Sequence, residues 1–400
     1  MSTSPQELSR WQAEVRKSMP NLSKPVATML ALWSFGIVFA KTTGRMSVAL
    51  FLAMLLGKKA ANIEQRLYEW CIGREHKSGD HRLDWDVRGC FSPLLAWIVR
   101  LWQSEKIALV LDATSLSDQF IVLTISVVYR QMGLPVAWKI MRANTKHPWR
   151  KEWLALIRCI WRVIPKHWQV LVLADRGLYA DWLFRRVVRV GWHPFFRVNG
   201  QGKFAPDATR QTVHTGRYLH QLLCKRGDTY VGTGVAFSGK HRLACTVLGY
   251  WSQIHKDPWF VLTDLLPQDC DISWYGLRSW CEQGFKCVKR GGWQWQHTRM
   301  EDPDRAERLW LAIAIAMLWC VAVGSVLEKD PEQAHLFQGW TACLTDAPHS
   351  SRTPRTIRVM RVGMFALLVA VILSRPLSHP ACLHPDPWPI FTSTPKNLPP

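Results

Sequence analysis

Two aspartates stand where a folded chain could bring carboxylates together. Asp112 follows the apolar run 107–111, and Asp175 follows the apolar run 170–174. Both runs have the pattern of buried strands. An Asp at the end of such a run is costly to bury without a cation, a metal ion or hydrogen-bond donors. A turn or a helix cap would explain one such residue, but two at the strand ends of one sheet favour a shared acidic site.

A second cluster combines one carboxylate with two cations and a tyrosine. Its members, at positions i, i+3, i+7 and i+14, are Tyr275, Arg278, Glu282 and Lys289. At about 100° per residue, the four side chains would lie on one face of a single helix. Lys289 would then lie about 10 Å beyond Glu282 along the axis. A carboxylate in a line of cations suits a metal ligand beside a phosphate backbone, although a solvated charged helix face has the same pattern.

The elements that must position these residues follow from the apolar pattern. Strands are predicted at 107–112, 120–130, 136–142, 169–175 and 193–199, with helices at 151–163 and 176–191. Three strands followed by alternating helix and strand predict a mixed α/β sheet. Between about 200 and 270 the chain is rich in Gly, Thr, Val and Tyr, which predicts an all-β insertion.

The first hundred residues are predicted to be helical. Apolar runs at 26–40 and 48–56 are joined by a short turn, and Asn62 could cap a third helix. Two helices across a short turn, the second with basic side chains, are typical of DNA-reading segments and equally of ordinary packed helices.

Composition limits the class of protein. The 400 residues are 48% hydrophobic and 20% charged, which excludes a disordered tail, a collagen-like chain and a coiled coil. With 51 Lys and Arg against 30 Asp and Glu, the formal charge is +21, which favours a polyanionic partner over a merely solubilising surface. The eleven cysteines have no paired spacing, which suits free thiols in a reducing compartment.

One apolar run leaves a membrane alternative open. Residues 309–327 carry no charge over 19 positions, which is long enough to span a bilayer. However, Asp302 precedes Pro303 just before the run, as in a capped helix, and a core helix buried on all sides is equally apolar. We therefore expect a core helix and no membrane partner. The Pro-rich tail from residue 374 is predicted to be poorly ordered.

The motifs resemble those of one protein family. The pattern Y-x2-R-x3-E-x6-K at residues 275–289 resembles the signature of the YREK branch of bacterial insertion-sequence DDE transposases. LDAT at 111–114 and LADRG at 173–177 look like that family's first and second Asp motifs, and PWFVLTDL at 258–265 resembles the strand that leaves its β insertion. The resemblance covers about residues 105–325 and implies a ribonuclease-H-like catalytic core.

The resemblance also implies roles for residues. Asp112, Asp175 and Glu282 would be the catalytic carboxylates and would bind two Mg²⁺ ions, for which Mn²⁺ is expected to substitute. The residues expected at the DNA phosphates are Tyr275, Arg278 and Lys289.

Three further residues are weaker candidates for DNA contact. The resemblance implies an aromatic side chain in the insertion that would hold a flipped base. Trp259, in the PWF of the corresponding strand, is the first choice for it and Trp251 the second, although most of the 23 Trp residues must lie in the core. Arg176 would touch phosphate or orient Asp175, and a structural salt bridge explains it equally well.

The predicted fold class is α/β (α+β), a ribonuclease-H-like mixed sheet flanked by helices, with an all-β insertion and a helical N-terminal region. The predicted segments are a DNA-end-binding region 1–104, the first part of the core 105–199, the insertion 200–270, the second part of the core 271–330, and a C-terminal helical and Pro-rich region 331–400.

The resemblance implies a transposase that cleaves at the terminal inverted repeats of its insertion sequence and transfers the 3′-hydroxyl ends into target DNA. Its expected partners are the double-stranded element ends and target DNA, with a homodimer in the DNA complex, in the bacterial cytoplasm at the nucleoid. Two alternatives stay open: a metal-dependent nuclease without strand transfer, and a catalytically inactive DNA-binding remnant of a mobile element.

Overall fold

A computed structural model describes residues 4–77, 84–116, 118–144, 149–207, 216–253, 256–289, 292–330, 332, 334–337 and 359–390. The strands are β1 (Lys106–Leu116), β2 (Phe120–Tyr129), β3 (Met132–Arg142), β4 (Gln169–Ala174), β5 (His193–Arg197), β6 (Lys203–Pro206), β7 (Arg217–Tyr218), β8 (Thr229–Ala236), β9 (Leu243–Tyr250) and β10 (Trp259–Thr263). The helices are α1 (Ser4–Ser18), α2 (Lys24–Ala40), α3 (Arg45–Leu56), α4 (Ala60–Cys71), α5 (Phe91–Leu101), α6 (Arg150–Ile160), α7 (Asp181–Arg189), α8 (Trp280–Val288), α9 (Pro303–Lys329) and α10 (Val359–Ile372).

The described strands form one ten-stranded sheet, in the order β3-β2-β1-β4-β5-β10-β9-β8-β6-β7. β1, β2 and β3 make an antiparallel meander, and β1, β4 and β5 run parallel. This half of the sheet is a ribonuclease-H-like arrangement, so the predicted mixed α/β fold class is confirmed. The β-rich insertion does not form a separate body. Its last strand, β10, pairs antiparallel with both β5 and β9, so the insertion extends the same sheet.

Alternate residues of β1 face two different cores. Leu109 and Leu111 belong to the larger core, whereas Ala108 and Val110 belong to a smaller core on the other face of the sheet. Because side chains alternate along a strand, Asp112 continues the series that faces the smaller core. The first predicted carboxylate thus lies on the face opposite the main apolar core.

The long apolar run forms the buried helix α9. Asp302 caps it by accepting a hydrogen bond from the Arg305 backbone N–H at 2.9 Å, and Pro303 occupies its first turn. α9 is the one helix in the described part of the chain that is long and apolar enough by itself to cross a bilayer, and 94% of its apolar window is buried in the protein. α2 and α3 reach that length only as a pair, bent by 98°. The expected core helix is therefore what the structure contains.

The N-terminal helices share the core of α9. The indole ring of Trp11 in α1 stacks on that of Trp319 in α9 with centroids 4.0 Å apart, and its Nε1 donates to Ser34 Oγ at 2.9 Å. The predicted helices around the turn at residues 41–44 are present as α2 and α3. Asn62 is not a cap, because α4 begins at Ala60 with Lys59 at its N-cap position.

Turn chemistry explains where the meander departs from the expected limits. Arg130 and Gln131 both have positive φ, at 39° and 59°, so they form the tight turn and β3 begins directly at Met132. Of the turn expected at residues 131–135, only Gln131 lies in the turn, and residues 132–135 belong to β3.

The C-terminal segment 374–390 packs on the core, unlike the poorly ordered tail expected from its prolines. The Leu383 backbone N–H donates to the Leu101 carbonyl at 2.7 Å, and the Trp388 ring meets the Trp274 ring edge-on at 4.9 Å. These apolar side chains anchor a segment whose proline content alone indicates disorder.

Candidate active site

The two aspartates lie side by side at one edge of the parallel part of the sheet. The last register pair between β1 and β4 is Leu111 with Ala174, so Asp112 and Asp175 are the next residues on neighbouring strands. Asp175 follows β4 as expected. Asp112 does not end β1, because the hairpin with β2 continues to Leu116 and pairs Asp112 with Thr124. The expected strand end is wrong in this detail, yet the parallel pairing places the two carboxylates together.

A turn of the backbone fixes the Asp175 carboxylate. Its Oδ1 accepts hydrogen bonds from the Gly177 and Leu178 N–H groups, at 2.9 and 3.2 Å. Because this turn follows β4, α7 begins only at Asp181, whereas the sequence predicted its start directly after the strand. The Asp175 side chain is 38% exposed, whereas that of Asp112 is only 11% exposed.

The predicted cluster that contains the third carboxylate lies on two consecutive helices, not one. A 3₁₀-helix (Ile272–Ser279) carries Tyr275 and Arg278, and α8 follows with Glu282 in its first turn. Lys289 lies just after the end of α8 with extended backbone. The predicted single α-helix face is therefore wrong. The tighter 3₁₀ turn changes the angle between residues, because it has 3.0 rather than 3.6 residues per turn.

Two glycines let α8 lie directly on β3. A Cβ on Gly284 would stand 2.3 Å from the Gly133 carbonyl oxygen, and a Cβ on Gly133 would stand 2.9 Å from the Cys281 Cα. Neither contact is possible for a residue with a side chain. The glycine pair thus sets how near Glu282, on the same helix, comes to the strands.

The Arg278 guanidinium connects all three carboxylates. Its Nη2 lies 3.1 Å from Asp112 Oδ1 and 3.3 Å from Asp175 Oδ2, and its Nη1 lies 3.0 Å from Glu282 Oε1. The Arg278 side chain is 19% exposed. The structure therefore brings the three predicted catalytic carboxylates to one point, with a cation among them.

Burial and charge shift the pKa values in this cluster. Burial raises the pKa of Asp112, Arg278 opposes the rise, and the neighbouring Asp175 and Glu282 carboxylates add to it. Burial alone would lower the pKa of Arg278, but the surrounding negative charges, above all Asp112, raise it. Each carboxylate thus favours a nearby cation because the other two repel its charge.

Lys289 also reaches this edge of the sheet. Its Nζ donates to Thr114 Oγ1 in β1 at 3.2 Å, two residues beyond Asp112. Burial lowers the pKa of Lys289, and the Asp112 carboxylate opposes that shift. Thr114 was not singled out from the sequence, although it belongs to the LDAT motif at residues 111–114.

The aromatic candidates lie beside the carboxylates and are buried. The rings of Trp259 and Tyr275 meet edge-on at 5.1 Å, and these residues are only 8% and 5% exposed. Arg197, at the end of β5, forms a side-chain hydrogen bond with Tyr275. Arg197 was not predicted from the sequence, because nothing in its local pattern distinguishes it from other strand residues. Only the pairing of β5 with β4 brings it near the site.

The remaining candidates differ in position. Arg176 is exposed next to Asp175, which suits contact with solvent or phosphate. Trp251 is half-buried after β9, and its Nε1 is buried with no hydrogen-bond partner among the described residues. DNA contact stays a prediction for Arg176, Trp251, Trp259 and Tyr275.

The donor set suits a hard divalent cation, because three carboxylates supply only oxygen ligands. As they stand, no group of three or more His, Cys, Asp or Glu side chains in the described ranges is arranged to hold a metal ion. The Arg278 guanidinium lies between the oxygens that would have to converge. The residues fit a metal site once that side chain moves.

Fold and site together define a ribonuclease-H-like protein with a carboxylate triad, and comparison with known proteins agrees. Residues 124–319 match the family model described as "Transposase DDE domain". The matched segment contains Asp175 and Glu282 and begins twelve residues after Asp112. A search of curated proteins found no match. The family match supports a DDE transposase, for which DNA is the implied partner and divalent metal ions are the usual cofactors.

We expect Gly284→Ala to damage both the fold and the site, because its Cβ would overlap the Gly133 carbonyl and push α8 away from β3. The loss of stability should be about 1–3 kcal/mol, as for other overpacked cores. Urea unfolding measures it, and DNA cleavage should fall further than stability explains. Gly89→Ala is the control, since its Cβ would meet only ordinary contacts at 3.6 Å or more. Equal stability of the two variants would contradict the glycine contact.

Proposed function

We propose that this protein is a DNA transposase of the YREK branch of bacterial insertion-sequence DDE enzymes. It cleaves at the terminal inverted repeats of its element and transfers the 3′-hydroxyl ends into target DNA. The proposal depends on one observation. Asp112, Asp175 and Glu282 come from three separate elements, and all three contact the Arg278 guanidinium. Mutual repulsion between three neighbouring carboxylates destabilises the fold. A contribution to stability therefore does not explain why they converge at this edge of the sheet.

The carboxylates would hold two Mg²⁺ ions, with Mn²⁺ as a substitute. When bound, such ions activate the attacking water or 3′-hydroxyl and stabilise the leaving oxygen. The chain's own cations surround that position: Lys289 is held beside β1 by Thr114, and Arg176 is exposed beside Asp175. Both can bind the phosphates on either side of the bond that is cut.

A cleft lined by several arginines lies between the end of β3, the start of α9 and the N-terminal helices. The cleft has a volume of about 970 Å³, and the arginines that line it are Arg45, Arg142, Arg299 and Arg305. Arg142 ends β3, and Phe120 of β2 pairs with both Arg142 and Leu116, so Arg142 lies at the same edge as the carboxylates.

Acidic as well as basic side chains line the cleft, but not every arginine there has an acidic side chain as an ion-pair partner. Glu301 and Asp302 also line it, and Arg45 is paired with Glu64 at 2.6 Å. Arg142 and Arg299 are exposed. These two are therefore the side chains best placed to bind a DNA backbone that leaves the active site toward α3 and α4.

The overall charge of +21 supports the same partner. Two element ends and a target duplex repel one another, and a basic protein reduces that repulsion. Joining paired ends requires two active sites, so we propose a homodimer in the DNA complex. Its place would be the bacterial cytoplasm at the nucleoid, where its substrate lies.

Asp175→Asn should abolish cutting and joining. The amide keeps the shape of the side chain and its acceptor for the Gly177 and Leu178 N–H groups but loses the negative charge. We expect a loss of more than about 100-fold, since even residues that only support a metal ligand contribute 10–100-fold. The substrate is a duplex with the element's terminal repeat and flanking DNA, incubated with Mg²⁺ or EDTA and a target plasmid.

Asp228→Asn is the matched control. Asp228 also accepts two backbone hydrogen bonds in a turn, from Cys224 and Lys225, but lies in the insertion. Cutting followed by joining in the wild type supports the transposase. Cutting without joining favours a nuclease, and binding without cutting favours an inactive remnant. Equal activity of Asp175→Asn and wild type would exclude the proposed chemistry.

The double variant Arg142→Gln, Arg299→Gln should bind DNA with lower affinity, and that affinity should depend less on the salt concentration. Loss of two phosphate contacts lowers the slope of log affinity against log salt by about 1.8. Fluorescence anisotropy with a labelled duplex at several salt concentrations measures it. The control is Arg162→Gln, Arg189→Gln, two exposed arginines after α6 and at the end of α7, at the opposite edge of the sheet. Equal slopes for the two double variants would show that DNA does not follow the cleft.

A further inference from the structure

We propose that Arg278 is the internal counter-ion of the metal-free site, and that it competes with divalent ions for the same three carboxylates. Metal loading then displaces the guanidinium and makes it available to DNA phosphate. This inference rests on the proposed function, because it assumes that the carboxylates bind metal. Arg278 then neutralises the carboxylates before DNA binds, in addition to making the phosphate contact expected of it.

One side chain compensates three negative charges at this site. Arg278 forms ion pairs with Asp112, Asp175 and Glu282, each at 3.0–3.3 Å. The neighbouring cations do not take this place. Lys289 donates to the neutral Thr114, and Arg176 points outward at an exposed position. In the described part of the chain, only Arg278 is in contact with all three carboxylates.

This arrangement leaves one hydrogen-bond donor of Arg278 without a partner among the described residues. Its two Nη atoms bind carboxylates, but its Nε is buried and has no hydrogen-bond partner among the described residues. A buried donor without an acceptor costs free energy, which reduces the net stability of this conformation. The guanidinium is therefore bound firmly enough to occupy the site, yet it would gain a hydrogen bond by leaving it.

The backbone places Arg278 at the junction of two helices. Arg278 is the penultimate residue of the 3₁₀-helix, and Glu282 lies four residues later in α8. The Glu282 side chain that accepts from Arg278 Nη1 is 53% exposed, so this end of the cluster borders solvent. A long, flexible side chain at this junction can turn outward without any movement of the strands that carry Asp112 and Asp175.

Competition has a direct thermodynamic consequence. A metal ion binds only those molecules in which Arg278 has left the carboxylates, so its apparent affinity is reduced by that fraction. Conversely, a bound metal ion keeps the guanidinium free and so raises the affinity for a phosphate near the site. Metal and DNA binding are thus coupled through one side chain.

The test is Mn²⁺ binding to the full-length, DNA-free protein by isothermal titration calorimetry. We expect Arg278→Gln to bind Mn²⁺ about tenfold more tightly than wild type, because the competitor is gone. Arg176→Gln is the matched control, since it removes the same charge one residue from Asp175 without touching the triad. Its affinity should change by less than about twofold, the effect of an exposed charge. Asp175→Asn should bind Mn²⁺ more weakly than wild type.

Thermal unfolding provides a readout independent of activity. Without metal, Arg278→Gln should melt below wild type because three carboxylates are left uncompensated, and Mn²⁺ should raise its Tm more than that of wild type. If Arg278→Gln does not fold, Arg278→Lys keeps a cation with fewer hydrogen bonds and should give an affinity between wild type and the tenfold gain.

Three results would overturn the inference in distinguishable ways. Equal Mn²⁺ affinity of Arg278→Gln and wild type would show that Arg278 does not compete. Weaker binding by Arg278→Gln would show that Arg278 orders the carboxylates for the metal instead. Absence of binding in both proteins, with Asp175→Asn indistinguishable from them, would refute the metal site itself and with it the proposed function.

Discussion

The mutual repulsion of three carboxylates at one edge of the sheet is the constraint on which the rest of the site depends. Asp112, Asp175 and Glu282 can share this edge only if positive charge lies among them. The Arg278 guanidinium supplies it, through contacts of 3.0–3.3 Å. The fold must hold these three acidic side chains in place against their repulsion. The strands and helices around the site do this.

The sheet and the glycine contact set the positions independently of each other. The parallel pairing of β1 and β4 aligns Asp112 with Asp175, while the contact of Gly133 with Gly284 fixes the approach of α8 and hence of Glu282. Behind the sheet, the buried helix α9 joins the N-terminal helices to the main core. The basic cleft lies where these two parts meet, so the same packing that supports the carboxylates also shapes the surface that we propose for DNA.

Some of this could be predicted from the sequence, because it depends on local patterns. Apolar runs followed by acids indicated Asp112 and Asp175, and Asp302 before Pro303 indicated the start of α9. The 3₁₀-helix before α8 could not be predicted, since the spacing of Tyr275, Arg278 and Glu282 fits either helix type closely enough. The continuation of β1 past Asp112 depends on pairing with β2, which no local pattern of β1 reveals.

Other features depend on contacts between distant segments. Arg197 becomes part of the site only when β5 lies beside β4, and the Trp388 contact with Trp274 holds a segment whose prolines indicated disorder. The place of Arg278 is the clearest example. Its spacing from Glu282 indicated a neighbouring cation, but its contacts with Asp112 and Asp175 depend on the packing of three elements.

An anomalous difference map of the protein crystallised with Mn²⁺ and a duplex carrying the element's terminal repeat tests the exchange of Arg278 for metal most directly. We predict Mn²⁺ density among Asp112, Asp175 and Glu282, with the Arg278 guanidinium moved away from them onto a DNA phosphate. Arg278 still bound to the three carboxylates, with no anomalous density between them and the DNA bound elsewhere, would contradict it.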